Sequence, residues 1–434
     1  MLTGKIKIYI SNFIALRQFY GNNQFCYIEL LFQNNEVEMS NFDLKKIQSI
    51  LKETEFDGWL FFDFRGSNEV AHTILDISPK AHLTRRLYYF IPKSGEPVKI
   101  LNGIEAFHLD HLPGKKLTYS SHESLHKHIK EALKDAKVIA MEYSPLNANP
   151  YVAKVDAGTI ELIKSFGKEI KGSGDLISMF AARWTKQQYE ENKPVADALY
   201  DIVGLAFNFI AKNIKEGSKL NEYDVQQFIM KEFDKRGYET DSPPIVGVNE
   251  NAANPHYEPG KDQNKPINKG DFVLIDLWAR QQKPDAVWAD ITWVGYVGES
   301  VPEKYTKVAN VVFQARDKAF NLVNERFTQG KEVRGYEVDA VTRKHISDAG
   351  YGDYFIHRTG HSIDTEVHGS GAHMDNFETK DERLILTSTS FSIEPGIYLT
   401  GDFGVRSEID VYITEDGKVL ATGKERQKEV VAIL

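Results

Sequence analysis

The sequence predicts an α+β chain in which a smaller mixed α/β domain precedes a domain built from a duplicated helix-helix-hairpin unit. Three observations carry this expectation. Strand-like and helix-like segments alternate from residue 39 to about 180; the order helix, helix, hairpin occurs twice between 184 and 434; and each hairpin carries two acids fourteen residues apart. At 434 residues the chain exceeds the ~250 residues that one core ordinarily serves. Domains at 39–180 and 184–434 are therefore expected behind an extension at 1–38.

The extension reads as loosely attached. KIKIYISNFIAL sets two lysines ahead of a short apolar run, but Asn12 interrupts it and no small-x-small site follows, so a removable secretory signal is not expected. No stretch is expected to reach the ~20 apolar residues of a membrane span, and no membrane partner is expected. From Met39 the pattern sharpens, and Asp43 is placed to cap a helix with Leu44, Ile47 and Leu51 on one face. GWLFFDF (58–64), RRLYYFIP (85–92) and KVIAMEY (137–143) read as buried strands, while HESLHKHIKEALKD (122–135) and the stretch around TIELIKSF read as helices. Of His122, His126 and His128 only the first two share a helical face, without an acid-rich partner stretch, so they read as surface histidines.

Thr185 and Gln188 form a capping box for a helix whose apolar stripe runs through Ala198, Ile202, Leu205 and Phe209, and Pro194 should kink or restart it. A second helix carries Val225, Phe228, Ile229 and Phe233. DFVLIDLWARQQKPDAVWADITWVGYV follows, a hairpin turning at QQKPD. The order then repeats: a helix with Val308, Val311, Val312, Ala315 and Ala319, another over 335–349, and a hairpin, TSFSIEPGIYLTGDFGVRSEIDVYI, turning at TGDFG.

Asp276 and Asp290 are centred on Lys283 in the first turn, and Glu394 and Glu408 on Gly401 in the second. If each turn is symmetric, each acid faces its partner across two strands, with Cβ atoms ~5 Å apart. Like charges so placed destabilise a sheet, and the apolar surroundings of VLIDLWA and FSIEPGI penalise charge further. Two such pairs ask for cations. Four carboxylates carry a formal charge that two divalent ions would balance, and one imidazole from HRTGHSIDTEVHGSG (357–371), His361, completes the set. That stretch lacks the glutamate of H-E-x-x-H, since Arg358 stands there. An oxygen-rich ligand field favours Mn(II), with Fe(II), Co(II) and Zn(II) also compatible.

Composition narrows the partners. A hydrophobic fraction of 41% with 26% charged residues is that of a globular protein, and a net charge of −9 with scattered basic residues argues against nucleic acid. The single cysteine, Cys26, forms no intrachain disulfide or thiolate cluster and fits a reducing cytoplasm.

DLW, WAD, HRTGH, SIEPGIY and VRSEID occur in the order seen in the pita-bread metallopeptidases, which the chain resembles over roughly 184–434. That family includes aminopeptidase P, prolidase and methionine aminopeptidase, with creatinase as a metal-free cousin. The resemblance implies that Asp276, Asp290, His361, Glu394 and Glu408 bind two metals. It also implies that 39–180 is the amino-terminal domain of the aminopeptidase P, prolidase and creatinase branch. By the same resemblance, His357 and His368 line the substrate cleft, His256 positions substrate or moves a proton, and Tyr398 and Arg406 contact substrate. Strand alternation places Arg406 on the face of Glu408, where it would orient that ligand or pair with a neighbouring acid.

The implied reaction is hydrolysis of an Xaa-Pro bond, in a dipeptide or at the amino terminus of a longer peptide, by a metal-bridging hydroxide with Glu394 moving the water proton. A homodimer is the implied assembly. The alternatives are a creatinase-like hydrolase that acts on no peptide and a non-catalytic binding protein on the same fold. The chain departs from the common form HRTGHGIGLEVHE at Ser362, Asp364 and Gly369, and its two aspartate motifs stand three residues farther apart than usual. These departures put the cleft rim, not the ligand set, in question.

Overall fold

The computed structural model describes residues 42–434 except Pro79, together with the backbone of three earlier strands. Those strands, β1 (Lys5–Ile10), β2 (Phe13–Gln18) and β3 (Ile28–Leu31), pair antiparallel within a unit, Met1–Phe42, separate from the unit Asp43–Leu434. The expected extension at 1–38 and its boundary at Met39 otherwise lie outside the described residues.

In the larger unit, α1 (Leu44–Lys52) starts where Asp43 accepts the Lys46 N–H, and Ile47 and Leu51 are buried as expected. The expected strands appear as β4 (Gly58–Phe64), β5 (Arg86–Pro92) and β8 (Val138–Met141), joined by β6 (Val98–Asn102), β7 (Lys115–Tyr119) and β9 (Glu169–Gly172) into a sheet ordered β7-β6-β5-β4-β8-β9. Around it lie α2 (Glu69–Ile74), α3 (His122–Ala132), α4 (Ala157–Ser165) and α5 (Gly174–Ala181). Leu60, Phe62, Tyr88 and Phe90 pack there against Leu125 and Ile129 of α3 and Ile160 and Ile163 of α4.

The duplicated order also appears. In the first half, α6 (Lys186–Lys215) and α7 (Glu222–Arg236) lead through β10 (Tyr238–Glu239) and β11 (Ile245–Val248) to the hairpin β12 (Phe272–Gln281) and β13 (Ala289–Tyr296). In the second, α8 (Glu303–Thr328) and α9 (Gly335–Asp348) lead through β14 (Ser362–Ile363) to β15 (Ser390–Ile393), β16 (Gly396–Leu399), β17 (Phe403–Arg406) and β18 (Ile409–Ile413); β19 (Val419–Ala421) and β20 (Val431–Ala432) follow. The Thr185–Gln188 capping box is present. Pro194 does not restart α6, one of the two outcomes expected of it, because the helix is held along its length by packing. A window of α6 is also long and apolar enough to cross a membrane by length and composition, which corrects the reading that no stretch is; 61% of it is buried in the protein.

The first hairpin is buried on both faces. Val273, Ile275, Leu277 and Ile291 pack on α6 and α7, while Phe272, Leu274 and Val294 pack towards α8. Each fully buried apolar side chain contributes roughly 1.5–3 kcal/mol. Asp276 and Asp290 interrupt the second of these faces.

The hairpin register differs from the symmetric expectation. Asp276 opposes Thr292 and Asp290 opposes Trp278, so the two aspartates are diagonal neighbours on one face. The cause is Pro284, which takes the second position of a turn closed by the Ala286 N–H on the Lys283 carbonyl and moves the centre one residue on. In the second hairpin the expected centre at Gly401 holds. Gly396 pairs Arg406 and Ile393 pairs Ile409, one continuous register with Glu394 and Glu408 opposed in the gap between ladders.

Candidate metal centre

The gap between ladders turns the backbone of both glutamates outward to other strands. The Glu394 N–H donates to the Thr359 carbonyl at 2.7 Å, and the Glu408 N–H to the Thr292 carbonyl of β13 at 3.2 Å. The second contact seats one hairpin against the other. The Asp290 N–H reaches across the same seam to Asp410 Oδ2 at 2.7 Å.

The acids therefore converge. One ligand atom each from Asp290, His361 and Glu408 lie within 4.8 Å of one another, all buried. His361 Nε2 stands 3.3 Å from Glu394 Oε1 and 3.9 Å from Asp290 Oδ2. Asp276 joins through Thr292, whose hydroxyl lies 3.1 Å from Asp276 Oδ1 and 2.7 Å from Glu408 Oε2. A hydroxyl has one proton, so it cannot satisfy both carboxylates.

The donor chemistry fits a divalent cation. His361 Nδ1 lies 3.2 Å from the Ser362 carbonyl, which takes the ring proton and leaves Nε2 as a lone pair facing carboxylate oxygens. Asp290 Oδ1, Glu408 Oε1 and Asp410 Oδ1 are buried without a hydrogen-bond partner among the described residues. Acceptors facing acceptors are reconciled by a cation. Burial pushes the carboxyls of Asp290 and Glu408 well above their usual range, with neighbouring acids adding to the shift, and pushes His361 well below its own. Glu394 rises to about 7 through burial, with the Arg406 charge opposing.

Of the two roles expected for Arg406, pairing with a neighbouring acid is the one found. It forms an ion pair with Asp276, and its Nε donates to the Thr292 hydroxyl at 3.0 Å. Its neighbour on the wall is Tyr398, whose hydroxyl meets His357 Nε2 at 2.7 Å. The other nitrogen of His357, Nδ1, donates to the Arg358 carbonyl at 2.6 Å, so Nε2 accepts the tyrosine proton and both ring nitrogens are engaged. Burial lowers His357 to about 3. His368 lies with its ring 4.2 Å from that of His361 and is lowered by burial to about 4. Its Nδ1 and Nε2 have no protein hydrogen bond among the described residues, as do those of His256 across the cavity.

Asp276, Asp290, His361, Glu394, Glu408, Arg406, His357, His368 and His256 line a cavity of about 890 Å³. The mixed α/β part of the unit supplies one wall: Glu69, Val70 and Thr73 of α2, Ile177 of α5, and Tyr151 and Lys154 from the connection between β8 and α4. His122, His126 and His128 are elsewhere, on α3 and the far side of its sheet, as their sequence context suggested.

The departures at 362–371 form one mutually dependent set. Asp364 accepts N–H bonds from Glu366 at 2.9 Å and Ser370 at 2.6 Å, while Ser362 Oγ accepts from Gly371 at 3.0 Å. A Cβ on Gly369 would stand 2.5 Å from Asp364 Oδ2, so an acid in place of the glycine would collide with it. Trp184 and Trp288 fasten the same segment by bonds to the Ile363 and Thr365 carbonyls at 2.9 and 3.1 Å. The loop thus holds His368 rigidly on the rim.

Sequence reasoning missed Asp410 and Thr292. Asp410 shares the face of Glu408 by strand alternation, a signal available in SEID; Thr292 became significant only with the corrected register.

Residues 197–415 match the model of metallopeptidase family M24. An Xaa-Pro dipeptidase of Pyrococcus furiosus is 31% identical over 267 residues, 61% of this chain and 70% of that one. A putative Xaa-Pro aminopeptidase of Mycoplasma pneumoniae is 32% identical over 201 residues, 46% of this chain and 52% of the relative. Among solved structures, a recombinant prolidase from Thermococcus sibiricus shares the fold with a TM-score of 0.56 at 24% identity, over 89% of this chain and 98% of its own.

Proposed function

The chain belongs to metallopeptidase family M24, and from that premise we propose that it hydrolyses Xaa-Pro bonds, in dipeptides or at the amino terminus of peptides. Asp276, Asp290, His361, Glu394 and Glu408 would hold two divalent ions, with Mn(II) the ion proposed for an oxygen-rich set with one imidazole. The observation that carries the reading is the His361 lone pair facing carboxylates, three of whose neighbouring oxygens have no partner.

Bound metal supplies an acidified water and a polarised scissile carbonyl. Glu394 would take and return the proton. His357 and Tyr398 act as a couple, the tyrosine hydroxyl donating to the imidazole, and present a fixed neutral surface to the reacting carbonyl. His368, on its braced loop, and His256, whose ring nitrogens have no protein hydrogen bond among the described residues, are placed to bind peptide groups. Arg406 balances Asp276 and keeps the acid cluster from carrying its whole charge. A cytoplasmic homodimer is the proposed form, tested by light scattering and by fractionation.

The testing experiment compares Xaa-Pro dipeptides, Xaa-Pro tripeptides and proline-free controls on Mn(II)-loaded protein, with and without a chelator. Cleavage of proline-containing substrates that stops on chelation and returns with metal is expected. Chelator-resistant hydrolysis, or equal cleavage of the proline-free controls, would overturn the assignment.

A further inference from the structure

An acid without a cation among the described residues overhangs the first hairpin. β10 pairs with β12 where Glu239 meets Arg280, and β11 pairs with it where Ile245 meets Asp276, so the connection 240–244 passes beside Trp278. It does so rigidly: the Thr240 hydroxyl donates to the Ser242 carbonyl at 2.7 Å, and Pro243 and Pro244 restrict the return to β11. Asp241 Oδ1 accepts the indole N–H of Trp278 at 2.6 Å and lies 3.4 Å from the Ser242 hydroxyl. Its Oδ2 has no partner among the described residues.

Asp241 and Trp278 both line the catalytic cavity. The other cavity carboxylates outside the metal set differ from Asp241. Glu69 pairs with Lys154 at 2.6 Å, Glu378 accepts the Arg358 N–H at 3.2 Å, and Glu366 makes no side-chain bond among the described residues that would fix it. Arg280, next after Trp278 on the same face of β12, is bound to Glu239 at 2.8 Å and to the Thr365 carbonyl at 3.0 Å, so that guanidinium does not answer Asp241. A fixed carboxylate with an open oxygen beside an indole ring attracts a cation twice, by its charge and by the negative face of the ring.

Distance sets which part of a substrate can reach this pair. Trp278 and Asp276 are two residues apart on one face of β12, ~7 Å between Cα atoms, about the length of a lysine or arginine side chain. A cation held there belongs to a residue flanking a bond cleaved at the aspartates. In an Xaa-Pro substrate the proline carries no charge, which leaves Xaa. We propose that Asp241, with the Trp278 ring, receives the cationic side chain of the amino-terminal residue, so that Lys-Pro and Arg-Pro are the preferred substrate class. This rests on the Xaa-Pro reading above. The α-ammonium of Xaa and a basic residue after the proline offer the same chemistry, and the test separates the three sources.

The test measures KM and kcat on Mn(II)-loaded protein for Lys-Pro, Nε-acetyl-Lys-Pro, norleucyl-Pro and Ala-Pro, and for the tripeptides Ala-Pro-Lys and Ala-Pro-norleucine. For the wild type, KM for Lys-Pro at least ~5-fold below those of its acetylated and norleucyl counterparts is expected, a ratio that shrinks as salt rises from ~0.05 to ~0.5 M. D241N keeps an acceptor for Trp278 but removes the charge, and the ratio should fall to about one; D241E, which keeps the charge, should retain part of it. Calorimetry with uncleaved analogues whose scissile carbonyl is reduced to CH2, in lysyl and norleucyl forms, repeats the comparison without turnover. Equal KM for lysyl and norleucyl dipeptides in the wild type overturns the proposal while Xaa-Pro cleavage stands. So does a D241N variant that weakens Ala-Pro and Lys-Pro alike with the ratio intact, which assigns the acid to the α-ammonium. A lysine preference found only after the proline overturns it as well. Absence of all hydrolysis while the lysyl analogue still binds in preference to the norleucyl one would sink the peptidase reading and spare the role of Asp241.

Discussion

Asp290 shows how one residue can weaken the empty protein and strengthen the loaded one. Its Oδ1 is buried without a partner and its carboxyl is pushed far up by burial and by Glu408. D290N removes that charge at nearly constant shape. The metal-free variant should melt above metal-free wild type, while loaded wild type should melt above the variant, a crossing read by thermal denaturation with and without chelator. The same substitution should lower kcat by at least ~100-fold together with metal content, since losing even a supporting group of such a site commonly costs 10–100-fold. R406M asks the opposite question. It leaves Asp276 buried with Thr292 as its remaining partner, and the metal-free protein should lose about 3–5 kcal/mol in denaturant melts. At this scale the sequence was informative where spacing expressed chemistry. The four acids and His361 were legible from their positions, whereas the partner of Arg406 was not, because a long side chain on the correct face still has several acids within reach.

Between elements, close backbone contact rather than side-chain chemistry sets the site. A Cβ on Gly360 would overlap the Ser392 carbonyl, and one on Gly404 the Ala252 carbonyl. G360A should therefore displace the segment bearing His361 from β15, with metal affinity falling before overall stability, checked by metal titration beside a melt. In the mixed α/β part, Glu142 follows β8 and accepts from Trp59 of β4 at 2.7 Å, Asn68 at the cap of α2 at 2.9 Å and Ser173 at the cap of α5 at 3.2 Å. Burial nevertheless raises its carboxyl from 4.5 to about 7. The folded state then keeps a proton that the unfolded chain releases, so its contribution to stability falls as pH rises from 4.5 to about 7 and is flat above. The difference in melting between wild type and E142Q should fall across that window and be level on either side, and a parallel pair of curves would refute the assignment. Strand and helix patterns were legible here because periodicity survives burial. The first hairpin register was not, because one proline in its turn decides it and spacing alone cannot show which residue occupies the centre.

For the molecule as a whole, metal and fold are linked. Ligation at the seam between the two hairpins stabilises the native state in proportion to occupancy, by about 2.7 kcal/mol at a hundredfold excess over Kd. Melting temperature should climb with the logarithm of Mn(II) concentration in wild type and stay level in D290N; a level wild type would mean the metal is not held by the folded centre. The duplication was legible from its repeated order, but the wall contributed by α2 and Tyr151 was not, since no local pattern links residues 151 and 358. Synthesis gives this architecture a further consequence. Asp290 and Glu408 are separated by roughly 120 residues, which a ribosome adding 5–20 residues per second takes about 6–24 s to make. For that interval the nascent first hairpin holds its aspartates beside an apolar strand with no counter-strand to complete the cage. Loading with cation is thereby postponed until the later glutamate has emerged, and a growing chain stays inert towards the peptides around it.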